Sequence, residues 1–184
     1  AIFCISFFSA QGNYNTLVFK GNQEFNKKNY ESSSSKYLEA VKIKENEFTA
    51  HYNLGNSLYK RKMYDEAKAE YEKAELHANS LSDKAAALYN LGNSHIEKND
   101  SKKAAEYYKR ALKQDPYNEA IRKNYEIAML KEKEKENQKK QQGKSDGGGK
   151  DQSKDQNKGE DKGSAPQNQA GNGQKDKGES DGDE

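Results

Sequence analysis

Three histidines and one cysteine are the side chains of this 184-residue chain that are best suited to bind a metal or to act as a base or nucleophile. His51, His77 and His95 are isolated, because none has a second histidine or cysteine three or four residues away, the spacing that holds zinc on one helix. His51 and His95 fall where helices are expected to pack, which favours partly buried histidines held by hydrogen bonds. Cys4 has no second cysteine to pair with. We therefore predict no catalytic residue, no metal site and no cofactor.

Phosphate recognition is equally poorly supported. The stretch Gly143-Lys144-Ser145 has the last letters of a phosphate-binding loop, but Gln138 stands where such a loop needs its first glycine. Lysines and acidic residues alternate through the chain, and the formal net charge is only +2. This balance produces no extended basic surface. The sequence therefore predicts that the chain binds neither nucleotides nor nucleic acid.

The strongest pattern in the chain is an internal repeat. The segment Tyr52–Ser57, with the letters YNLGNS, recurs without change at Tyr89–Ser94. The glycines of these segments and an earlier one, Gly21, are spaced by 55 − 21 = 34 and 92 − 55 = 37 residues. The second spacing is longer by three residues, close to one helical turn. We expect this insertion, in the stretch 79–83, to lengthen a helix or its turn.

Each repeat also carries small and aromatic residues at fixed distances from its glycine. A small residue, a tyrosine and an alanine follow the glycine by twelve, sixteen and nineteen residues, and they are Ser33, Tyr37 and Ala40; Ala67, Tyr71 and Ala74; and Ala104, Tyr108 and Ala111. Antiparallel helices can approach closely only where side chains are small. We therefore expect each glycine to face the small residue of the following helix, with the tyrosine filling the remaining space.

Helix ends are marked between these positions. Asn29, Lys62 and Asn99-Asp100 stand where the turn inside each repeat must fall. Asp100 is suited to cap the next helix through its carboxylate. Pro116 is expected to stop the sixth helix, because proline cannot continue a helical hydrogen-bond pattern.

These positions resemble those of the tetratricopeptide repeat family, over about Asn13 to Asn118. The resemblance implies an all-α fold in which helix-turn-helix units stack into a right-handed superhelix. A capping helix would cover the exposed edge of the last repeat. The predicted units are three repeats at about 14–47, 48–84 and 85–118, and a capping helix at 119–138.

Both ends of the chain differ in composition from the repeats. Residues 1–12 begin with the apolar run AIFCISFF and reach Ala10 and Gly12, a pattern typical of a secretory signal peptide that is cut after either residue. An apolar end that packs on the first helix is the alternative. Residues 139–184 contain no aromatic residue and too few apolar side chains to offset the entropy of ordering. We therefore predict a compact domain over 13–138, a disordered tail after it, and export to the periplasm or cell envelope.

The resemblance also implies where a partner would bind, because the first helices of such repeats line a concave face. Asparagine offers both a donor and an acceptor to a peptide backbone, and tyrosine offers apolar area with a polar tip. The alternative is that these residues are common at such positions and contact no partner. The candidate partner-binding residues are Asn22, Tyr52, Asn53, Asn56, Tyr59, Tyr89, Asn90 and Asn93.

One binding mode known from the family is disfavoured here. Some relatives clamp the acidic C-terminus of a chaperone between two asparagines and three cationic side chains. Asn22 and Asn53 match the two asparagines, but Val18, Ala86 and Asn90 stand at the cationic positions. Without cations the charge-assisted hydrogen bonds to carboxylates are lost.

The whole layout resembles the BatC family, exported repeat proteins of the bacterial aerotolerance operon. The features that match are the apolar start, three repeats, a charged last helix and a tail rich in Gly, Asn, Gln, Lys and Asp. This resemblance implies a non-enzymatic scaffold that binds another protein, with a membrane-bound von Willebrand factor A-type protein as the candidate partner. Contact with a membrane would come through that partner or through an uncleaved N-terminal segment. A self-associating structural protein without a peptide ligand is the alternative, and the sequence leaves the oligomeric state open.

Overall fold

A computed structural model describes the backbone of residues 2–145 and the side-chain surroundings of residues 12–142. This part of the chain is entirely helical, without a strand. The prediction of an all-α fold of stacked helix-turn-helix units is therefore confirmed. The helices are α1 Ile2–Asn26, α2 Tyr30–Ile43, α3 Phe48–Lys60, α4 Tyr64–Leu76, α5 Leu81–Glu97, α6 Ser101–Gln114 and α7 Glu119–Ser145.

The helices pack in chain order. The pairs α1 and α2, α3 and α4, and α5 and α6 form the three repeat units, and each unit packs through its second helix on the first helix of the next. The core consists mainly of alanines, tyrosines and leucines. Tyr37, Tyr71 and Tyr108 are almost fully buried, as are Leu88 and Leu91. None of the described helices is both long enough and apolar enough to cross a membrane.

A contact between glycine and tyrosine recurs inside each repeat, whereas the spacing predicted that the glycine would face the small residue and that the tyrosine would fill the remaining space. A Cβ atom added to Gly55 would lie 2.7 Å from Cε1 of Tyr71, so only glycine allows this approach. Ser33 fits the same pattern, because its Oγ donates to the Gly21 carbonyl oxygen at 2.9 Å. The three pairs are Gly21 with Tyr37, Gly55 with Tyr71, and Gly92 with Tyr108.

The turns inside the repeats use one backbone conformation at equivalent sites. Lys28, Lys62 and Asn99 each stand seven residues after the repeat glycine and have φ angles of 64°, 63° and 58°. This left-handed conformation ends a helix, and asparagine adopts it more readily than lysine. The predicted cap is confirmed as well, since the Asp100 carboxylate accepts a hydrogen bond from the Lys103 backbone N–H at 3.1 Å.

Helix boundaries differ from the predicted units at two places. The three-residue insertion lengthens α5, which starts at Leu81 instead of residue 85, because Ser80 caps it by accepting from the Asp83 N–H at 3.0 Å. Helix α7 continues to Ser145, beyond the predicted end at residue 138. Its alternating Lys and Glu residues have enough helix propensity to extend it. The rest of the predicted tail, residues 146–184, lies outside the described residues.

The predicted signal segment is also only partly described. Helix α1 begins at Ile2, so the backbone of most of residues 1–12 continues the helix of the first repeat. The side-chain surroundings of residues 1–11 lie outside the described residues. Export through this segment therefore stays a prediction.

Candidate functional site

The candidate site is the face formed by the first helices of the repeats, α1, α3 and α5, together with α7. We call it the concave face and define it by the eight predicted residues plus Ile96, Glu97, Asn124 and Ile127. Each predicted residue from α3 and α5 is half-buried, whereas Asn22 of α1 is exposed. Hydrogen bonds connect Tyr52, Asn56, Tyr89, Asn90 and Asn93 through Asn124, whereas within residues 12–142 none links Asn22 or Asn53 to this group. Binding of a partner by these residues stays a prediction.

Three of the asparagines of the concave face form a hydrogen bond with the second helix of their own repeat. Each follows the repeat glycine directly, and its Oδ1 accepts a hydrogen bond from the hydroxyl of the buried tyrosine fifteen residues further on. Burial raises the pKa of Tyr71 and Tyr108, so these hydroxyls stay protonated and donate at neutral pH. The bonds are Tyr37 to Asn22 at 2.5 Å, Tyr71 to Asn56 at 2.8 Å and Tyr108 to Asn93 at 2.8 Å.

A second set of bonds joins neighbouring repeats across the concave face. Nδ2 of Asn90 donates to the Tyr52 hydroxyl and to Oδ1 of Asn56, both at 3.1 Å. One repeat further, Nδ2 of Asn124 donates to the Tyr89 hydroxyl at 2.9 Å and lies 3.3 Å from Oδ1 of Asn93. The same amide-to-tyrosine bond thus occurs at two successive junctions and ties α3 to α5 and α5 to α7.

This pattern is broken at the first junction, where Asn53 lies. Asn53 stands at the repeat position of Asn90 and Asn124, but Val18 occupies the place that Tyr52 and Tyr89 fill in the later repeats. Within residues 12–142, the Asn53 side-chain amide makes no hydrogen bond, although it is half-buried. A half-buried amide with unused donors and acceptors is suited to bind a polar group from outside.

A pocket lies at the α7 end of the concave face, and we call it the C-terminal pocket. It encloses about 220 Å³, and Ile96 and Ile127 form apolar walls. Glu97 supplies a carboxylate, and the Tyr59 hydroxyl donates to its Oε1 at 3.2 Å. The complete lining is Tyr59, Asn93, Ile96, Glu97, Tyr108, Asn124 and Ile127.

Two of these residues, Asn124 and Ile127, were not predicted as site residues because they come from the capping helix. The repeat spacing contained the signal, since Asn124 stands 124 − 90 = 34 residues after Asn90. Helix α7 therefore acts as the first helix of a fourth, incomplete repeat and contributes to the concave face. A capping helix is expected to cover the core, and here it also extends the candidate site.

Comparison with protein families agrees with this architecture. The sequence model of the tetratricopeptide repeat matches residues 46–116, and a second model of the same repeat matches residues 21–62. Together the two matches extend over all three glycine positions. This chain belongs to the tetratricopeptide repeat family. No curated protein matches the sequence significantly.

Solved structures of tetratricopeptide domains are similar in fold. The second such domain of human RPAP3, in complex with the HSP70 peptide SGPTIEEVD, has a TM-score of 0.61 and 17% identity, over 65% of this chain and 98% of that one. The N-terminal domain of STI-1 from C. elegans has a TM-score of 0.60 and 18% identity, over 65% and 97% of the two chains. YrrB, described as a tetratricopeptide protein with an unusual peptide-binding site, has a TM-score of 0.55 and 23% identity, over 63% and 58%.

The histidines of these repeats have structural surroundings, as expected. His51 is 2% exposed, with Nδ1 2.6 Å from Oε2 of Glu70 and Nε2 2.7 Å from the Glu45 carbonyl oxygen. His95 is buried and stacks on the ring of Tyr107, with 5.2 Å between ring centroids. Within the described part of the chain, no three His, Cys, Asp or Glu side chains come together as a metal site.

Proposed function

We propose that this chain is a non-enzymatic adaptor of the bacterial cell envelope, and that its concave face holds an extended segment of a partner protein. The observation that carries the proposal is the break in the hydrogen-bond pattern at Asn53. Other asparagines of the concave face are bonded to tyrosines of the same chain, whereas the Asn53 amide is free to bond a peptide backbone. Tetratricopeptide domains of similar fold have been solved with peptides of other proteins bound, which supports the assignment.

The chemistry of the concave face indicates a segment that is not acidic. The human RPAP3 domain binds a peptide that ends in Glu-Glu-Val-Asp. The cationic positions of the clamp that some relatives use are here Val18, which packs against the core, together with Ala86 and Asn90. Burial of a carboxylate without a cation is unfavourable. Tyr52 and Tyr89 instead offer aromatic area, with hydroxyls already engaged by asparagine.

The envelope part of the proposal rests on the sequence. The apolar run that opens the chain is typical of a signal peptide, and the layout resembles the BatC family. A membrane-bound von Willebrand factor A-type protein is therefore the partner that we propose. Self-association is the second candidate, because α7 leaves Met129 and Leu130 exposed to solvent.

A photo-crosslinking side chain placed at Asn53 tests this function in cells that express the chain. We expect covalent capture of one partner protein, recovered from the envelope fraction and mapped by mass spectrometry to one segment. The same crosslinker at Glu66, exposed on α4, is the control and should capture little.

The outcomes separate the parts of the proposal. Capture that is equal at both positions contradicts binding on the concave face. Recovery of the chain itself as the main product favours self-association. Recovery of the partner from the cytosol alone contradicts the envelope assignment.

A further inference from the structure

The C-terminal pocket combines apolar walls with a carboxylate, and nothing in the tyrosine and asparagine pattern requires that carboxylate. Ile96 and Ile127 both line this pocket, whose volume is about 220 Å³. Glu97 lies at this pocket and is exposed to solvent. A long side chain with an apolar stem and a charged end would match both features.

Glu97 differs from other acidic residues that lie between repeats. Asp65 pairs with Lys98 at 2.8 Å, and Glu75 pairs with Arg110 at 2.6 Å. Within residues 12–142, no lysine or arginine nitrogen lies within 4.0 Å of the Glu97 carboxylate. Its hydrogen-bond partner is the Tyr59 hydroxyl, a neutral donor that orients the carboxylate without neutralising it.

We propose that the C-terminal pocket binds a lysine or arginine side chain of the partner segment. The aliphatic stem lies between Ile96 and Ile127, and the cationic end bonds to Glu97. This inference rests on the proposed function, since the cation belongs to the segment on the concave face. The partner segment would then carry a charge opposite to that of the acidic peptide bound by the RPAP3 domain.

The positions that correspond to Glu97 in the neighbouring repeats carry lysines, so a cation of the segment is expected at this pocket and not at its neighbours. Lys60 of α3 stands five residues after Gly55, as Glu97 does after Gly92. Lys131 of α7 occupies the same position in the incomplete fourth repeat. A cation of the segment is therefore attracted at Glu97 and repelled at the neighbouring positions. The pocket should select the position of the cation as well as its sign.

Selection from a phage-displayed library of random twelve-residue peptides tests the inference without a known partner. On the parent chain we expect Lys or Arg to be enriched about tenfold at one aligned position, the effect of one charge-assisted hydrogen bond. The Glu97→Lys variant should lose this enrichment and select Asp or Glu there. Glu126→Lys, which makes the same charge change at an exposed position of α7, should select as the parent does.

The outcomes distinguish the pocket from the function on which it rests. No enrichment over a bare support on any chain contradicts the proposed function. Enriched peptides that lack a cation, or that bind the parent and a normally helical Glu97→Lys variant equally, contradict the pocket assignment alone. Loss of the cation on both Glu97→Lys and Glu126→Lys would show a general charge effect and would also overturn it.

Discussion

Replacement of Tyr71 by alanine should lower the free energy of unfolding by about 3–5 kcal/mol, the range for removal of a large buried aromatic side chain. Tyr71 is 1% exposed, and its ring packs on Gly55 and lies 6.0 Å from the ring of Tyr52. It belongs to the central repeat, so the cavity disturbs the packing on both neighbours, and repeat proteins depend on such interfaces. Urea denaturation followed by circular dichroism measures the loss.

One further variant separates the contribution of the ring from that of its hydroxyl, and a second serves as an exposed control. Tyr71→Phe removes the 2.8 Å bond to Asn56 and should cost only about 1 kcal/mol. Tyr117→Ala changes a tyrosine that is 88% exposed, and we expect less than about 0.5 kcal/mol. If Tyr71→Ala costs no more than Tyr117→Ala, the glycine–tyrosine contact does not hold the repeat together.

The second large effect concerns the buried pair His51 and Glu70. The carboxylate of Glu70 and the carbonyl of Glu45 are both acceptors, so both hydrogen bonds form together only when the ring of His51 is charged and both of its nitrogens donate. Burial opposes the charge, but the hydrogen bonds to Glu70 and to Glu45 outweigh it and raise the pKa of His51. His51→Phe should cost about 3 kcal/mol at pH 6, near the lower limit for breaking a buried pair, because Lys73 still pairs with Glu70 at 2.8 Å.

The pH dependence of this pair has a defined sign. A raised histidine pKa gives stability that is full below the ordinary value of 6.5 and is lost as the pH rises through the folded value. His95 acts in the opposite direction, because burial lowers its pKa and its charging destabilises the fold as the pH falls. Lys73 also faces His51 and lowers its pKa, and the ring of His77 stacks on that of His51 with 6.0 Å between ring centroids.

Unfolding of parent and His51→Phe at pH 5.5 and pH 8.5 therefore gives the test. We expect the difference in free energy between the two chains to be larger at pH 5.5 than at pH 8.5. His95→Phe should show the reverse order. A His51 difference that is independent of pH would mean that folding does not shift the pKa of the ring, and the reverse order would mean that the folded ring is kept neutral.

Much of the fold was predictable because the same residue types recur at the same spacing in three repeats. The spacing of Gly55 and Tyr71 predicted a close helix pair, and the Asp100 cap and the stop before Pro116 followed from local chemistry. The prediction failed in detail at two helix ends, where a cap and local helix propensity moved the boundary. Ser80 starts α5 earlier than the predicted repeat boundary, and α7 runs past its predicted end.

The candidate site was predictable in position and less so in chemistry. Hydrogen bonds join five of the eight residues, but the sequence did not show that Asn56, Asn90 and Asn93 are engaged with tyrosines and with one another. The bonds between repeats join residues 31–38 positions apart, so they depend on how two repeats stack. Asn53 differs from Asn90 for the same reason. Its bonding partner would come from the preceding repeat, where Val18 stands at the position that Tyr52 and Tyr89 fill in the later repeats.

If the concave face binds a peptide segment through Asn53, the affinity for that segment depends on the Asn53 amide. The segment recovered by crosslinking, made as a synthetic peptide, should bind Asn53→Ala about tenfold more weakly than the parent, as expected for an amide that loses its bonds to a peptide backbone. Asn79→Ala, an exposed asparagine in the turn before α5, should bind like the parent. Equal affinity of all three chains, with unchanged helicity, would contradict the account.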